Sequence, residues 1–305
     1  MARTTRATRT PETILSFVAT YRRSRDLKTD TIKQLECVAR AFERFAGPIP
    51  WREVNDDLAN DWLCQLQDEG RLSPVTIYSR RRLFLTLWRA AYDAGLVERL
   101  PQRVRRIKQP DIVPVAFLAD EIQAMLNVAE EMTGDVRGLR LPRRLWWRSF
   151  LLAAYDSGLR LSDLLSIERD WIWRGGRLSI VQAKTGRTHT VQFRAETMAA
   201  IEESMAACPR RRLIWPLWCS RDCWHRHFRR LRRDAGLSRG SSKWIRRSSA
   251  SYVEAAHPGT GSAHLGHRSA DLARKHYFDP RIVTHEATAP PSLRSLKKRR
   301  QRRKK

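Results

Sequence analysis

"WIWRGGRLSIVQAKTGRTHTVQF", residues 171–193, is where the periodicity of the chain changes. On either side, apolar residues recur every three or four positions. Here they alternate. WIW, LSIVQ and THTVQF are short runs of β type, separated by RGG and by KTGR. Such runs joined by tight turns predict a three-stranded antiparallel sheet with Lys184 at the tip of the second hairpin. Everything else reads as helix, so the fold class is mainly α with one small sheet in the second half.

Upstream of the sheet, helices are expected around 120–132 and 143–156. Downstream they are expected over 195–207, 220–235, 243–256 and 269–277, the last ending before Asp279-Pro280. In 220–235, Trp224, Phe228 and Leu231 share a face, and the arginines lie mostly outside it. The first hundred residues carry four amphipathic helices with clear punctuation. Thr10 can cap the first, with Pro11 at its opening position and Ile14, Phe17, Val18 and Tyr21 on one face. The second carries Ile32, Leu35, Ala39 and Phe42 and stops at Gly47. The third starts at Asn55 and buries Leu58, Trp62 and Leu66. The fourth is capped by Ser73, opened by Pro74 and closed by Gly95, with Ile77, Phe84, Trp88, Ala91 and Tyr92 as its inner stripe. Four such helices with short connections suggest a bundle-like domain. The expected organisation is a flexible basic arm (1–9), a helical domain (10–97), an extended basic linker (98–116), a second domain that holds the sheet (117–283) and a basic tail (284–305). No internal repeat is visible.

Hydrophobic residues make up 42% of the 305, normal for a folded chain. The formal net charge is +27. The final run, PSLRSLKKRRQRRKK, supplies nine of the positive charges and no acid, so about +18 belongs to the rest. A body this basic repels itself without a polyanion, and nucleic acid is the usual one. The tail reads best as a nonspecific DNA tether. The five cysteines are scattered and odd in number, which suits reduced thiols in a cytoplasmic, nucleoid-associated protein. The apolar run FLLAAY is far too short to cross a bilayer.

Four local patterns follow in order: SGLRLSDLL, with Arg160 after a glycine and Asp163 three residues on; Lys184 in QAKTGRTHTV; KWIRRSSAS, with Lys243 and Arg246 three apart on one helix face; and LGHRSADLARKHY, with His267 and Tyr277. Each alone has an ordinary explanation as a solvated or packing residue. Together they resemble the signature of the tyrosine recombinases, the phage-integrase family. The second half carries the resemblance strongly. The first half carries it through the four helices and the S-P-x-T-I…G-L-V run of the fourth. The resemblance implies that Tyr277 is the nucleophile, that Arg160, Arg246, Lys243 and His267 surround the phosphate, that Lys184 is the hairpin lysine, and that Asp163 supports Arg160. Two departures stand out. Lys243 occupies a position where histidine is commoner, and His267 and Tyr277 are ten apart where nine is usual. One added residue rotates a helix by about 100°, which the intervening loop must absorb.

The chemistry has its own logic. In-line attack on a phosphodiester concentrates negative charge on the non-bridging oxygens, and arginines offer forked, permanently charged donors there. A neutral phenol with a pKa near ~10 is a poor nucleophile, and surrounding cations favour the phenolate. The product is a 3′-phosphotyrosyl link that keeps the bond energy, so neither ATP nor any other cofactor is expected. Lys184 suits the general acid for the departing 5′ oxygen. Thr76, Arg80, Arg81, Arg105, Arg106, Ser220, Arg221 and Arg226 are candidate DNA contacts. The partner is double-stranded DNA, with a homotetramer on two sites by family analogy. Two alternatives remain at this point: a topoisomerase or hairpin resolvase of the same chemistry, and a DNA-binding protein with a disabled site. Cys219, Cys223, His225 and His227 lie close in sequence. The two histidines face differently and no second pair has matching spacing, so no metal is expected and Cys223 reads as small and buried.

Overall fold

The computed structural model describes residues 12–284, and the chain divides into two units, one through Asp111 and one from Ile112. The expected basic arm and most of the basic tail lie outside the described residues.

The first unit contains α1 (Ile14–Arg23), α2 (Thr29–Ala46), α3 (Asp56–Asp68) and α4 (Pro74–Asp93). Side-chain caps fix three of the starts: Thr13 accepts from the Ser16 amide, Asn55 from Leu58 and Ser73 from Thr76. The first helix thus begins after Thr13 rather than at Thr10, which precedes the described residues. The core is aromatic. Phe42 stacks on Phe84 with ring centroids 4.5 Å apart, and Trp62 meets both at 5.3 Å. Tyr92, expected in the inner stripe of α4, is 40% exposed. The helix's last turn passes the edge of the core.

The segment expected as an extended linker over 98–116 forms no helix or strand and is mostly exposed, with a few anchored points. Asp56 accepts from the amides of Gln102 and Arg103, and Asn60 accepts from that of Arg105. Trp88 donates its indole N–H to the Arg99 carbonyl, and Val104 and Ile107 are buried in the first unit's core. Pro114, Ala116 and Phe117 are buried in turn, and Ala116 donates to the Asp279 carboxylate of the second unit. The longest exposed run of the stretch, 108–113, lies between these two sets of anchors.

The second unit runs α5 (Ala119–Glu130), α6 (Arg143–Ser157), α7 (Leu161–Leu164), β1 (Ile172–Trp173), β2 (Arg177–Val181), β3 (Thr188–Gln192), α8 (Ala195–Ala207), α9 (Arg221–Asp234), α10 (Ser242–Ala256), α11 (Gly261–His264) and α12 (Ala270–Tyr277). It is mainly helical with one antiparallel sheet of order β1-β2-β3, as the alternating runs predict. Leu178 pairs with Val191 and Ile180 with His189. The α6 helix is apolar almost all round and forms the unit's centre, with Trp146, Trp147 and Phe150 packed among Trp215, Trp218, Trp224 and Phe228. A smaller cluster of Ala250, Leu265, Ala273 and Phe278 joins α10 to α12 and carries Tyr277 at its margin. Among the described residues, no helix is long and apolar enough to cross a membrane.

Candidate active site

The site is built where five short elements meet. The α6 helix ends at Gly158, whose positive φ of 56° reverses the chain. A β-carbon there would sit 3.0 Å from Leu265 and 3.1 Å from the Ser249 hydroxyl, so glycine also permits a close approach. The turn delivers Arg160 to the start of α7. Its guanidinium donates to Gln182 Oε1 at 2.8 Å and reaches His267 Nε2 at 3.4 Å, with Asp163 at 3.8 Å. Asp163 is fully buried and also accepts from the Ala183 amide at 3.0 Å. The acid therefore ties Arg160 to the β2–β3 hairpin.

Arg246 comes from α10 and is almost fully buried. It donates to the Gly158 carbonyl, to the Leu265 carbonyl at 3.1 Å and to His267 Nε2 at 3.1 Å. Both arginines thus point N–H groups at one imidazole nitrogen. That nitrogen must be an acceptor, so His267 is neutral and protonated on Nδ1. Burial, with Arg246 and Arg160 beside it, lowers His267 to about 4. Burial and the like charge of Arg160 bring Arg246 down to about 10.

Tyr277 is the last residue of α12, which Ser269 caps. Its ring meets His267 edge to face, centroids 4.9 Å apart. The Arg246 guanidinium carbon lies 5.2 Å from the ring centre and the Lys243 ammonium 5.7 Å. Burial works to raise the phenol, yet Arg246, Lys243 and Arg160 together hold it below the ordinary tyrosine value. Burial and Arg247 lower Lys243 in turn. The ten-residue spacing is absorbed in the loop: α12 does not start until Ala270, and the ring still faces His267. Lys184 is exposed at the hairpin tip, and its charge is among those acting on His267 and Lys243. Three buried atoms of the cluster lack a hydrogen-bond partner: Asp163 Oδ2, Arg246 Nε and His267 Nδ1. The geometry brings Arg160, Asp163, Lys243, Arg246, His267 and Tyr277 together, with Lys184 within electrostatic reach.

Several neighbours escaped the sequence reading. Gln182 is fully buried, accepts from Arg160 and from Thr185, and donates to the Leu265 carbonyl at 3.2 Å. Its signal was a polar residue at an inward position of an alternating strand, after Leu178 and Ile180. Gly266, with φ of 67°, would carry a β-carbon 2.8 Å from Gln182 Nε2. Arg247 donates to the His276 carbonyl and Ser251 to that of Tyr277, pinning the end of α12. Nothing in sequence marks these two, because their partners lie more than twenty residues away. His264, left without a role, shares a hydrogen with Ser249 at 2.7 Å and is lowered to about 4, chiefly by burial.

The candidate DNA contacts divide. Arg106, Arg221 and Arg226 are exposed and Arg80 is half-exposed. Thr76 is exposed in the first turn of α4, its hydroxyl 2.9 Å from that of Ser73. Arg105 directs one N–H to Cys64 Sγ. Ser220 caps α9 by accepting from the Cys223 amide. The Arg81 guanidinium donates to the carbonyls of Val104 and Arg105, holding that segment on α4. Cys223 also departs from expectation. It is half-exposed, and it is grouped with Cys219 and His227.

A mainly helical unit with a small antiparallel sheet and a tyrosine set among arginines, a lysine and a histidine defines a class. The chain belongs to the phage integrase family, whose profile matches residues 116–281. A Pseudomonas syringae protein named as a tyrosine recombinase XerC is 25% identical over 189 residues, covering 59% of this chain and 39% of that relative. The chain therefore matches well under half of that relative's length. Among solved structures, a lambda integrase dimer bound to a COC′ core site superposes with a TM-score of 0.69 at 19% identity, covering 92% of this chain and 99% of that one. The Tn1549 transposon integrase in complex with circular intermediate DNA gives 0.66 at 14%, covering 94% and 99%. A lambda integrase tetramer bound to a Holliday junction gives 0.70 at 19%, covering 90% and 78%. These likenesses establish the fold.

Proposed function

We propose that the chain is a site-specific DNA recombinase that cuts and rejoins one strand at a time through Tyr277. The observation that carries this reading is the phenol ring held against His267, Arg246 and Lys243, with Arg160 sharing the same imidazole. A scissile phosphate entering the cluster receives N–H donors from Arg160 and Arg246 on its non-bridging oxygens. Lys243 adds a donor as charge builds, and His267 does so once its Nε2 takes up a proton. One preorganised donor of this kind contributes ~3 kcal/mol to lowering the barrier.

The Tyr277 phenolate, its proton released to water, attacks phosphorus as the 5′ oxygen leaves from the opposite side, taking its proton from Lys184. The enzyme is then linked to the 3′ phosphate and the other fragment carries a free 5′ hydroxyl. Attack by a 5′ hydroxyl from a second duplex reverses the chemistry and completes exchange. No metal or ATP enters any step. Exchange between two duplexes needs one active protomer per strand, hence a homotetramer on two sites, consistent with the lambda integrase tetramer on a Holliday junction. The exposed Arg80, Arg106, Arg221 and Arg226 serve phosphate backbones away from the reacting one.

The test is covalent capture. On DNA nicked so that the 5′ fragment diffuses away, the wild type accumulates as a protein–DNA adduct and Tyr277→Phe does not. Binding with steep salt dependence but no adduct would leave only a DNA-binding protein. Relaxation of supercoils without exchange between sites would assign the same chemistry to a topoisomerase.

A further inference from the structure

The Cys219–Cys223–His227 group shares no residue with the Tyr277 cluster, and nothing in strand exchange uses it. One donor atom from each residue lies within 4.8 Å of the others. Cys223 and His227 are one turn apart on α9, and Cys219 sits just ahead of Ser220, the cap of that helix. The cap bond from the Cys223 amide to Ser220 Oγ, 3.2 Å, fixes the turn that folds Cys219 back over Cys223. The adjacent face of α9 is anchored by Trp224, Phe228 and Leu231, which fixes the rotation of the helix about its axis. His227 is steadied by Trp218, the residue before Cys219, with ring centroids 5.7 Å apart. His225, the other histidine of the stretch, turns aside against Trp224.

We infer that Cys219, Cys223 and His227 bind a zinc-like divalent ion, with water at the fourth position. Tetrahedral zinc with bonds of about 2.3 Å to sulfur and about 2.0 Å to nitrogen sets its donors roughly 3.7 Å apart. Donors already inside 4.8 Å reach that spacing by side-chain rotation alone. Two thiolates and an imidazole select a soft or borderline ion over magnesium or calcium. The bound group is electrically neutral, two thiolates against a divalent cation, so it adds no charge to a basic surface. What it adds is a clip: the segment after α8 is fastened to the first turns of α9, where Ser220, Arg221 and Arg226 stand. The site does not depend on the Tyr277 reading.

The experiment adds cobalt(II) to the reduced, chelator-stripped full chain. One equivalent should bind with the intense thiolate charge-transfer and tetrahedral visible bands, and zinc should displace it. Cys219→Ser and Cys223→Ser should each weaken binding by more than about a hundredfold, a loss that even outer-shell changes can reach. His227→Asn, at an exposed position, keeps the fold and should weaken it at least about tenfold. Zinc should raise the thermal midpoint of the wild type and not of the variants. Adduct formation through Tyr277 should survive chelation, which separates this site from the cleavage chemistry. An octahedral spectrum, a missing charge-transfer band, or equal binding by Cys219→Ser/Cys223→Ser would overturn the inference.

Discussion

Replacing Gln182 by leucine separates the positioning of Arg160 from its charge. The side chain is fully buried and joins three groups: Arg160 at 2.8 Å, Thr185 at 3.1 Å and the Leu265 carbonyl at 3.2 Å. Leucine has a similar volume and no polar atom. The Leu265 carbonyl keeps its bond from Arg246, and Thr185 is exposed to water. The group left in need is Arg160, whose nearest remaining anion, Asp163, is 3.8 Å away. A lost bond to a charged donor, with partial rescue by solvent, costs about 1–3 kcal/mol of folding stability. For a chain of this size that lowers the melting midpoint by roughly 2–4 °C per kcal/mol. The larger effect falls on cleavage, where a misplacement of about 1 Å costs up to ~10²-fold.

The assay is single-turnover adduct formation on nicked DNA, with affinity measured in parallel. Gln182→Leu should slow cleavage about 10- to 100-fold and leave affinity within about twofold, since affinity comes from the wider basic surface. The double variant with Arg160→Leu should be no slower than Arg160→Leu alone, because a residue acting only through Arg160 has nothing further to remove. Additive losses in that cycle, or unimpaired cleavage by a folded Gln182→Leu, would refute the positioning role.

His264 is lowered from 6.5 to about 4, so the unfolded chain takes up protons between those values that the folded chain does not. Its contribution is complete above pH 6.5 and is lost as pH falls toward 4, by up to about 3 kcal/mol. Thermal midpoints should drop over that window, and His264→Gln should flatten the profile partly, because His189 and His267 are displaced in the same direction. In an alkaline titration followed by tyrosinate absorbance, Tyr277→Phe should remove a step lying below the ordinary tyrosine value. Burial holds Tyr155 above that value, so a titration unchanged by Tyr277→Phe would contradict the cation cluster. Arg81→Ala should destabilise the first unit by about 1–3 kcal/mol without altering the salt slope of DNA binding. Arg106→Ala should do the opposite, reducing the slope by about one.

The features legible in the sequence were local ones. Alternation in LSIVQ and THTVQF gave the hairpin, and Ser73-Pro74 gave the start of α4, because strand pleat and helix caps are decided within a few residues. Gly158 and Gly266 could be read as turns. What was hidden depended on partners far along the chain. Arg80, Arg81 and Arg82 are equivalent in sequence, yet only Arg81 meets the carbonyls of Val104 and Arg105, more than twenty positions away. The anchoring of the linker was hidden for the same reason: the burial of Val104 and Ile107 depends on a helix face fixed elsewhere. In the cysteine cluster, helical spacing already sets His227 one turn from Cys223 and His225 on another face. What spacing did not show is the packing of each ring, His227 against Trp218 and His225 against Trp224.

Arg246 shows why this site is more than a set of charges. Two like-charged guanidiniums brought to one imidazole are under electrostatic tension that the buried Asp163 only partly offsets; burial first, and then this like charge, lowers Arg246 and His267. The fold offsets that tension with backbone acceptors. Arg246 spends N–H groups on the carbonyls of Gly158 and Leu265, residues that immediately precede the Leu159-Arg160 turn and the Gly266-His267 turn. The same bonds therefore position the two partners with which Arg246 must act. On the proposed reading, a phosphate arriving between the arginines would replace a neutral nitrogen lone pair with full negative charge, and the freed Nε2 of His267 would donate once it takes up a proton. The arrangement is held ready by carbonyl oxygens and relieved by the charge of its ligand, so electrostatic stabilisation grows as the phosphate gains charge toward the transition state.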